Sequence, residues 1–501
     1  MRVHVFSEQL GTGDNARMSS RIAGALVFFT SAVVLVLEIL AGRLLAPYAG
    51  VTLETFTAII GVVLAGIAFG TWFGGRYADL VASPATLVGP VLVLGGALAA
   101  STVPLARVLG PSLGTAGITG LIALTAIAIL PATAILSATP PIIVKVILED
   151  LGTTGATVGR ISALGTAGAL VGTFTSGFVL VATLPTSVTI LTVALVTAAV
   201  GLWLWARHRP QRNVLGVVAV IGLAAGSVLT ASVSSPCDVE TAYFCASEVP
   251  VADNPNASIL LLDTLTHAYV NKTDPTDLRF SSIRMFASAI EAMTDGPIDV
   301  LHVGGGGFSL PNWVSATRPA STNVVLELDG ALVEFVEERF EPAPVEETIV
   351  GDARVSVTQV GNDFDVVVGD AFGGLAVPWH LTTAEFLAEV SGVLGDEGFY
   401  IMNLIDHGDL AFLRAELATA ATVFPHVALA TLPERLEVGG NFMLVAAKRP
   451  IPGDDIIGAA AALDLGIVVL TGDALDAFVD GAQILTDDFA PVDQLLEASS
   501  G

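Results

Sequence analysis

Long apolar runs fill the first 232 residues, and after Pro236 the pattern changes to short apolar stretches alternating with helical ones. The run Ile22 to Ala41 has a single charge, Glu38. A helix of that length, at roughly 1.5 Å per residue, spans roughly the 30 Å of a bilayer core. Comparable runs follow at 55–73, 86–106, 114–136, 161–183, 187–206 and 213–232, which predicts about seven transmembrane helices. The first run is too long for a signal peptide and ends in no cleavage motif. Between the fourth and fifth runs, Pro140-Pro141 and IIVKVILED read as a short interfacial helix or as an eighth, shorter membrane element. Gly66, Gly70 and Gly74 share one helix face, as do Gly168 and Gly172, the spacing that lets helices approach closely. Glu38 and Arg43 read as a pair snorkelling to the interface, with an intramembrane functional pair as the alternative.

The second half carries the βαβ alternation of a parallel sheet. Asp299 to Val303 reads as a buried strand that runs into Gly304, Gly305, Gly306 and Gly307, with a helix opening over 309–317. Such a glycine turn lets backbone approach a ligand closely. The next strand, Asn323 to Leu328, brings Glu327 and Asp329 to its tip, Glu327 standing 23 residues past Gly304. An acid at that distance is placed to accept hydrogen bonds from ribose hydroxyls. Gly351-Asp352-Ala353-Arg354 closes a third segment, where an acid commonly faces an adenine amino group. Phe364 to Gly369 is a fourth strand, delivering Asp370 at its carboxyl end, where chemistry gathers in open α/β sheets. Thr382 and Glu385 suit a capping box for the following helix. GFYIMNL (398–404) and NFMLVAA (441–447) complete the strands.

Charge separates the two halves. Up to residue 236 there are eleven Lys and Arg against seven acids, a balance of +4; the whole chain carries −27, so the remainder carries −31. Hydrophobic residues make up 53% and the mean hydropathy is +0.75, too apolar for a purely soluble chain. The acidic excess excludes nucleic-acid partners, which need clustered Lys and Arg. It reads as a halophile's surface, since the Debye length falls to about 3 Å at 1 M salt; an acidic mesophile is the alternative. With a cytoplasmic N-terminus, nine basic residues face inward and only Arg43 and Arg107 outward. Seven spans then put the second half outside, where Cys237 and Cys245, the only cysteines, could pair. An eighth span would reverse the side.

VGGGG (303–307), ELD (327–329), GDAR (351–354), FDVVVGDAF (364–372) and PWHLTTAEF (378–386) resemble the spermidine synthase family, within the class I methyltransferase-like fold. LLLDTLTHAYV (260–270) resembles that family's small β entrance segment. LEILAGRLLAPY (37–48) and GIAFGTWFGGRYAD (66–79) resemble membrane proteins fused to such a domain. The resemblance implies a cytoplasmic tail (1–21), a multi-pass transmembrane domain in the cell membrane (22–235), a linker with the β entrance (236–285) and a Rossmann-like domain (286–501). It implies transfer of an aminopropyl group from decarboxylated S-adenosylmethionine to an amine, with no metal. Gly304, Gly305 and Gly306 would form the nucleoside loop, with Glu327 and Asp329 at the ribose and Asp352 and Ala353 at the adenine. Asp370 would accept the amine's proton, and His267 and Asp263 would meet the acceptor.

Three positions depart from the family pattern. Gly307 stands where the family binds the donor's amino group with an Asp, Gly373 where a second Asp holds the diamine, and His267 where it has Gln. The family's tyrosine-histidine motif is absent near Phe280. Asp263 or Asp274 would have to substitute for the missing acids. The departures leave two alternatives: an S-adenosylmethionine-dependent methyltransferase, or a transporter or sensor whose soluble domain binds a nucleoside or polyamine without catalysis. A bilayer and a small amine are the expected partners, and a homo-oligomer is compatible with them.

Overall fold

The computed structural model of the protein describes residues 18–148, 154–208, 233–372 and 377–498. It comprises an N-terminal bundle of apolar helices followed by an α/β unit with a mixed sheet, and it divides into compact units at Phe244/Cys245. Neither cysteine is a free thiol; Cys237 and Cys245 are both disulfide-bonded.

The bundle is built from α1 (Ser20–Ala49), α2 (Leu53–Leu80), α3 (Ala85–Leu113), α4 (Gly117–Ala128), α5 (Leu130–Ser137), α6 (Thr139–Ile147), α7 (Thr154–Thr175) and α8 (Thr186–His208). Helix α7 continues through a π-helical turn, Ser176–Leu180, to Thr183. Hydroxyls set the first two starts: Ser19 accepts from the Ile22 amide and Thr52 from the Thr55 amide. Among the described residues six helices are long and apolar enough to cross a membrane: Ser20–Ala49, Leu53–Leu80, Ala85–Leu113, Leu130–Ile147, Thr154–Thr183 and Thr186–Arg207. The expected seventh span, 213–232, lies outside the described residues.

The expected fourth span, 114–136, falls on α4 and α5, the short element expected after Pro140-Pro141 falls on α6, and the membrane-length stretch is Leu130–Ile147. Helices α4, α5 and α6 follow one another with breaks at Ile129 and Ala138. Pro131, Pro140 and Pro141 lack the amide hydrogen needed inside a helix and are tolerated where one begins. The glycine stripe shows which way this segment runs. A Cβ added to Gly66, Gly70 or Gly74 would meet Thr133, Ala134 or Ala138 at 2.3, 2.0 or 2.7 Å, so α2 and α5 lie side by side in the same direction. Asp79 in the last turn of α2 pairs with Lys145 in the last turn of α6 at 2.8 Å. Gly168 and Gly172 make the same approach to Phe28 and Ala32 of α1.

The two basic residues expected on the outer side hold the segment that follows the bundle. Arg43 donates to the Thr241 carbonyl (3.3 Å) and Arg107 to the Val233 carbonyl (3.1 Å) and to Glu240 (3.5 Å). The Ser187 hydroxyl donates to Glu240 at 2.8 Å. Val233 thus stands where α3 stops and α8 starts. Gly89 packs on Gly201 and Trp205, so α8 runs antiparallel to α3 and His208 stands at the opposite end.

In the α/β unit an antiparallel sheet carries β1 (Cys245–Val251), β2 (Asn254–Leu262) and β3 (Leu265–Asn271). The main sheet contains β4 (Asp299–Val303), β5 (Thr322–Glu327), β6 (Glu347–Val350), β7 (Phe364–Gly369), β8 (Leu394–Asp406), β9 (His426–Thr431), β10 (Gly440–Ala447) and β11 (Val468–Leu470). Its order is β11-β9-β10-β8-β7-β4-β5-β6. Strands β6, β5, β4, β7 and β8 are parallel; β10 is antiparallel to β8 and to β9. Alternate side chains feed two cores: Leu301, Val367 and Met402 on one face, Val300, Val366 and Ile401 on the other. The chain reverses its order across the sheet at β4, leaving a crevice above the carboxyl ends of β4 and its neighbours.

One helix start differs from expectation. Trp379–Leu381 form a 3-10 turn and the helix opens at Ala384, so Thr383 rather than Thr382 is the cap, accepting from the Phe386 amide at 3.3 Å. Thr382 donates back to the Trp379 carbonyl, and Glu385 accepts from the Asp487 amide instead of closing a capping box.

Candidate active site

Backbone hydrogen bonds stitch three strand ends together. Gly304 donates to the Leu326 carbonyl (2.9 Å) and Asp370 to the Val303 carbonyl (2.8 Å). Gly304 has φ 101°, and a Cβ there would lie 2.3 Å from the Asp370 carbonyl oxygen, so only glycine fits this crossing. Glu327, at the end of β5, reaches back over the loop. Its Oε2 accepts from the amides of Gly305 (2.8 Å) and Gly306 (3.3 Å), and its Oε1 from that of Asp329 (3.0 Å). Asp329 caps the helix Gly330–Phe340 through the Leu332 amide. The expected nucleoside loop and ribose acid are thus one hydrogen-bonded unit.

A cavity of ≈ 240 Å³ opens beside this loop. Gly304 to Gly307 form one wall, β3 supplies His267, and Asp370, Asn403 and Asn441 come from three strand ends or their edges. Asp370 Oδ1 accepts from Asn403 Nδ2 (2.9 Å), and Asn403 Oδ1 accepts from Asn441 Nδ2 (3.1 Å). This chain fixes the carboxyl and leaves Oδ2 without a protein hydrogen bond among the described residues. Burial pushes Asp370 above the usual carboxylate range, opposed by the Asn403 bond and by His267. Burial likewise lowers His267, opposed by Asp370. His302, also facing the cavity, is lowered to about 4 by burial. With Asn323 donating to Ser315, its Oδ1 accepts from His302 Nε2 at 2.8 Å, which leaves Nδ1 as the acceptor of a neutral ring.

The structure therefore brings Asp370, His267 and Gly304 to Gly306 together, with Glu327 braced behind the loop. The other expected residues stand apart. Asp352 is exposed at the end of β6, accepting from the Arg354 amide (2.9 Å) and facing His380 Nε2 (3.2 Å); Ala353 beside it is buried, and neither lines the cavity. Asp263 does not line the cavity either, because the β2–β3 turn sets it at φ 53° with its carboxylate on the Cys245 amide (3.1 Å). Asp274 is spent on the Thr276 amide (3.1 Å). Neither acid lines the cavity. Gly307 has no room for one, since a Cβ there would stand 2.6 Å from that of Ala268. Gly373 lies outside the described residues. Sequence reading missed His302, Asn403 and Asn441. A signal existed for two of them: a His or an Asn inside an otherwise apolar strand needs a buried partner.

No protein-family model matches the chain. It is 28% identical over 239 residues to the polyamine aminopropyltransferase of Vibrio vulnificus (strain CMCP6), covering 44% of this chain and 78% of that one. It is 28% identical over 148 residues to the eEF1A lysine and N-terminal methyltransferase of Bos taurus, covering 27% and 21%. Among solved structures, a probable spermidine synthase from Corynebacterium glutamicum ATCC 13032 is similar at 25% identity and TM-score 0.47, covering 50% of this chain and 96% of that one. Spermidine synthase homologues cover the C-terminal part, and six long apolar helices ahead of it fit a fused membrane domain. This homology supports an aminopropyltransferase-type function, and relatives of both kinds use S-adenosylmethionine-type substrates.

Proposed function

We propose that the α/β unit transfers an aminopropyl group from a decarboxylated S-adenosylmethionine-type donor to an amine, in a protein that crosses the cell membrane several times. The observation that carries this reading is Asp370, which lines the cavity beside the glycine loop with its Oδ1 held by Asn403. The amine's nitrogen attacks the carbon bound to the sulfonium sulfur. The carbon–sulfur bond breaks, its electron pair returns to sulfur as a thioether, and the nitrogen's proton passes to the Asp370 carboxylate. A carboxyl raised by burial is a better proton acceptor once ionised. Holding both substrates in one cavity contributes through proximity. Glu327 and the glycine amides serve the nucleoside, and His267 meets the acceptor. The −31 balance after residue 236 suits a medium of high salt. Titration calorimetry on the intact protein in detergent, followed by product analysis, tests the scheme. Decarboxylated donor binds and is consumed with an amine present, and Asp370→Asn abolishes turnover with little loss of donor binding. Binding of the intact donor alone, with methylated product, would instead favour methyl transfer.

A second reading, a non-catalytic nucleoside- or amine-binding sensor, is favoured by the path of the chain. Ser20 and His208 lie at one end of the bundle and Val233 at the other. Seven crossings from a cytoplasmic N-terminus bring the chain out on the outer face, away from cytosolic adenosyl donors. Disulfide-bonded cysteines suit that compartment. A reporter fused to the C-terminus decides: an extracytoplasmic signal removes the transfer scheme with a cytosolic donor, and a cytoplasmic one removes the sensor's advantage.

A further inference from the structure

We propose that the amine taken at this cavity carries one basic nitrogen and is otherwise uncharged: a monoamine with an apolar body, not a diamine or polyamine. The inference rests on the reading of Asp370 as the group that meets the amine. Among the described residues lining the cavity Asp370 is the only acid, and no Lys or Arg joins it. The remaining ionisable groups are imidazoles, His267 and His302, and His302 Nε2 is committed to Asn323. The acids nearest in sequence are engaged elsewhere: Asp263 on the Cys245 amide, Asp274 on the Thr276 amide, and Asp277 on Arg279 (2.7 Å) and Tyr269 (2.6 Å). Glu327 holds three loop amides. Behind the opposite wall stands a guanidinium, since Arg435 donates to the Asn441 carbonyl (2.7 Å) and to the Ser281 hydroxyl (2.7 Å). Phe280, Ile283, Phe372 and Ile405 supply apolar lining.

A single carboxylate matches a single ammonium. A second ammonium drawn into the cavity would meet no counter-charge. To enter neutral at pH 7.5 it would have to shed a proton held with a pKa of roughly 10.4, a penalty approaching 10³-fold. Apolar walls favour the uncharged tail of a monoamine instead.

Calorimetry on the intact protein in detergent at pH 7.5, with 1-butylamine and putrescine as matched four-carbon probes, tests this. Butylamine binds at least tenfold more tightly, and Asp370→Asn abolishes that binding. Thr266→Asp, which adds a second acid at an exposed lining position, shifts the ratio at least fivefold toward putrescine. Equal or tighter binding of putrescine, absence of amine binding, or a ratio unmoved by Thr266→Asp overturns the proposal. Decarboxylated donor titrated into the same preparation separates the two failures. If it binds while putrescine wins, the transfer reading stands and this inference falls; if neither donor nor amine binds, both fall.

Discussion

Glycine does opposite work in the two units. In the bundle, Gly66, Gly70 and Gly74 have ordinary helical backbone, and what they supply is an absence: the helix carrying Ala134 comes so near that a Cβ at Gly70 would sit 2.0 Å from its carbonyl oxygen. In the α/β unit, Gly304 combines a similar approach, 2.3 Å from the Asp370 carbonyl, with a φ of 101° that a side chain would resist. The first kind of glycine sets a distance between helices. The second sets the shape of a site, because the backbone it frees is what a ligand meets.

The largest effect should come from setting these two against each other. Gly304→Ala costs roughly 2–5 kcal/mol from backbone strain and overpacking and removes adenosyl binding. Gly70→Ala costs about 1–3 kcal/mol by pushing α2 from α5, yet leaves adenosyl affinity unchanged. Calorimetric binding beside thermal melts of the same variants reads both; loss of binding in Gly70→Ala would erase the distinction. A control sharpens it: Gly61 has nothing within 4 Å of an added Cβ, so Gly61→Ala should stabilise by about 0.5–1 kcal/mol.

Next in size is a buried acid with no role in the site. Glu416 is fully buried, both its oxygens lack hydrogen-bond partners, and burial holds it protonated far above the usual range. Unfolding frees it to ionise once the pH exceeds about 4.3. Because the folded value is raised, its contribution to stability falls as pH climbs from that value toward the folded one. Glu416→Met should raise stability at pH 8 by about 1–3 kcal/mol and flatten the decline between pH 5 and 8. Thermal melts across that range check it, and an unchanged slope would acquit Glu416. Asp370, raised for the same reason, should show itself in turnover, which rises with pH through a value above the ordinary carboxylate range.

The smallest effect distinguishes neighbouring threonines. Thr383→Ala should cost about 1 kcal/mol, since Thr383 caps its helix and donates to Asp487 at 2.7 Å. Thr382→Val removes only a bond within the preceding turn and should cost less. Reversed magnitudes would restore Thr382 as the cap.

Much of this protein was legible in its residue pattern because the relevant physics is local. Twenty apolar residues make a membrane-length helix whatever surrounds them, so α1 to α3 were readable, and short apolar runs ending in glycine or acid gave β4, β5 and β7. Gly304, Glu327 and Asp370 followed from positions at strand ends. What the pattern left undecided depended on partners distant in the chain. The breaks at Ile129 and Ala138 divided the expected fourth span and put its membrane-length stretch at Leu130–Ile147, with α5 beside α2. Asp263 lies four residues from His267, yet a tight turn sends it to Cys245 while His267 lines the cavity. Asn403 reaches Asp370, and Asn441 reaches Asn403, only because β10 pairs with β8 and β8 with β7. Sequence determined which elements form and which residues end them, since hydrophobic period and backbone freedom act over a few residues. Tertiary structure alone decided that Asp370 would be the one acid among the described residues lining the cavity, since the register of strands far apart in the chain sets which side chains converge.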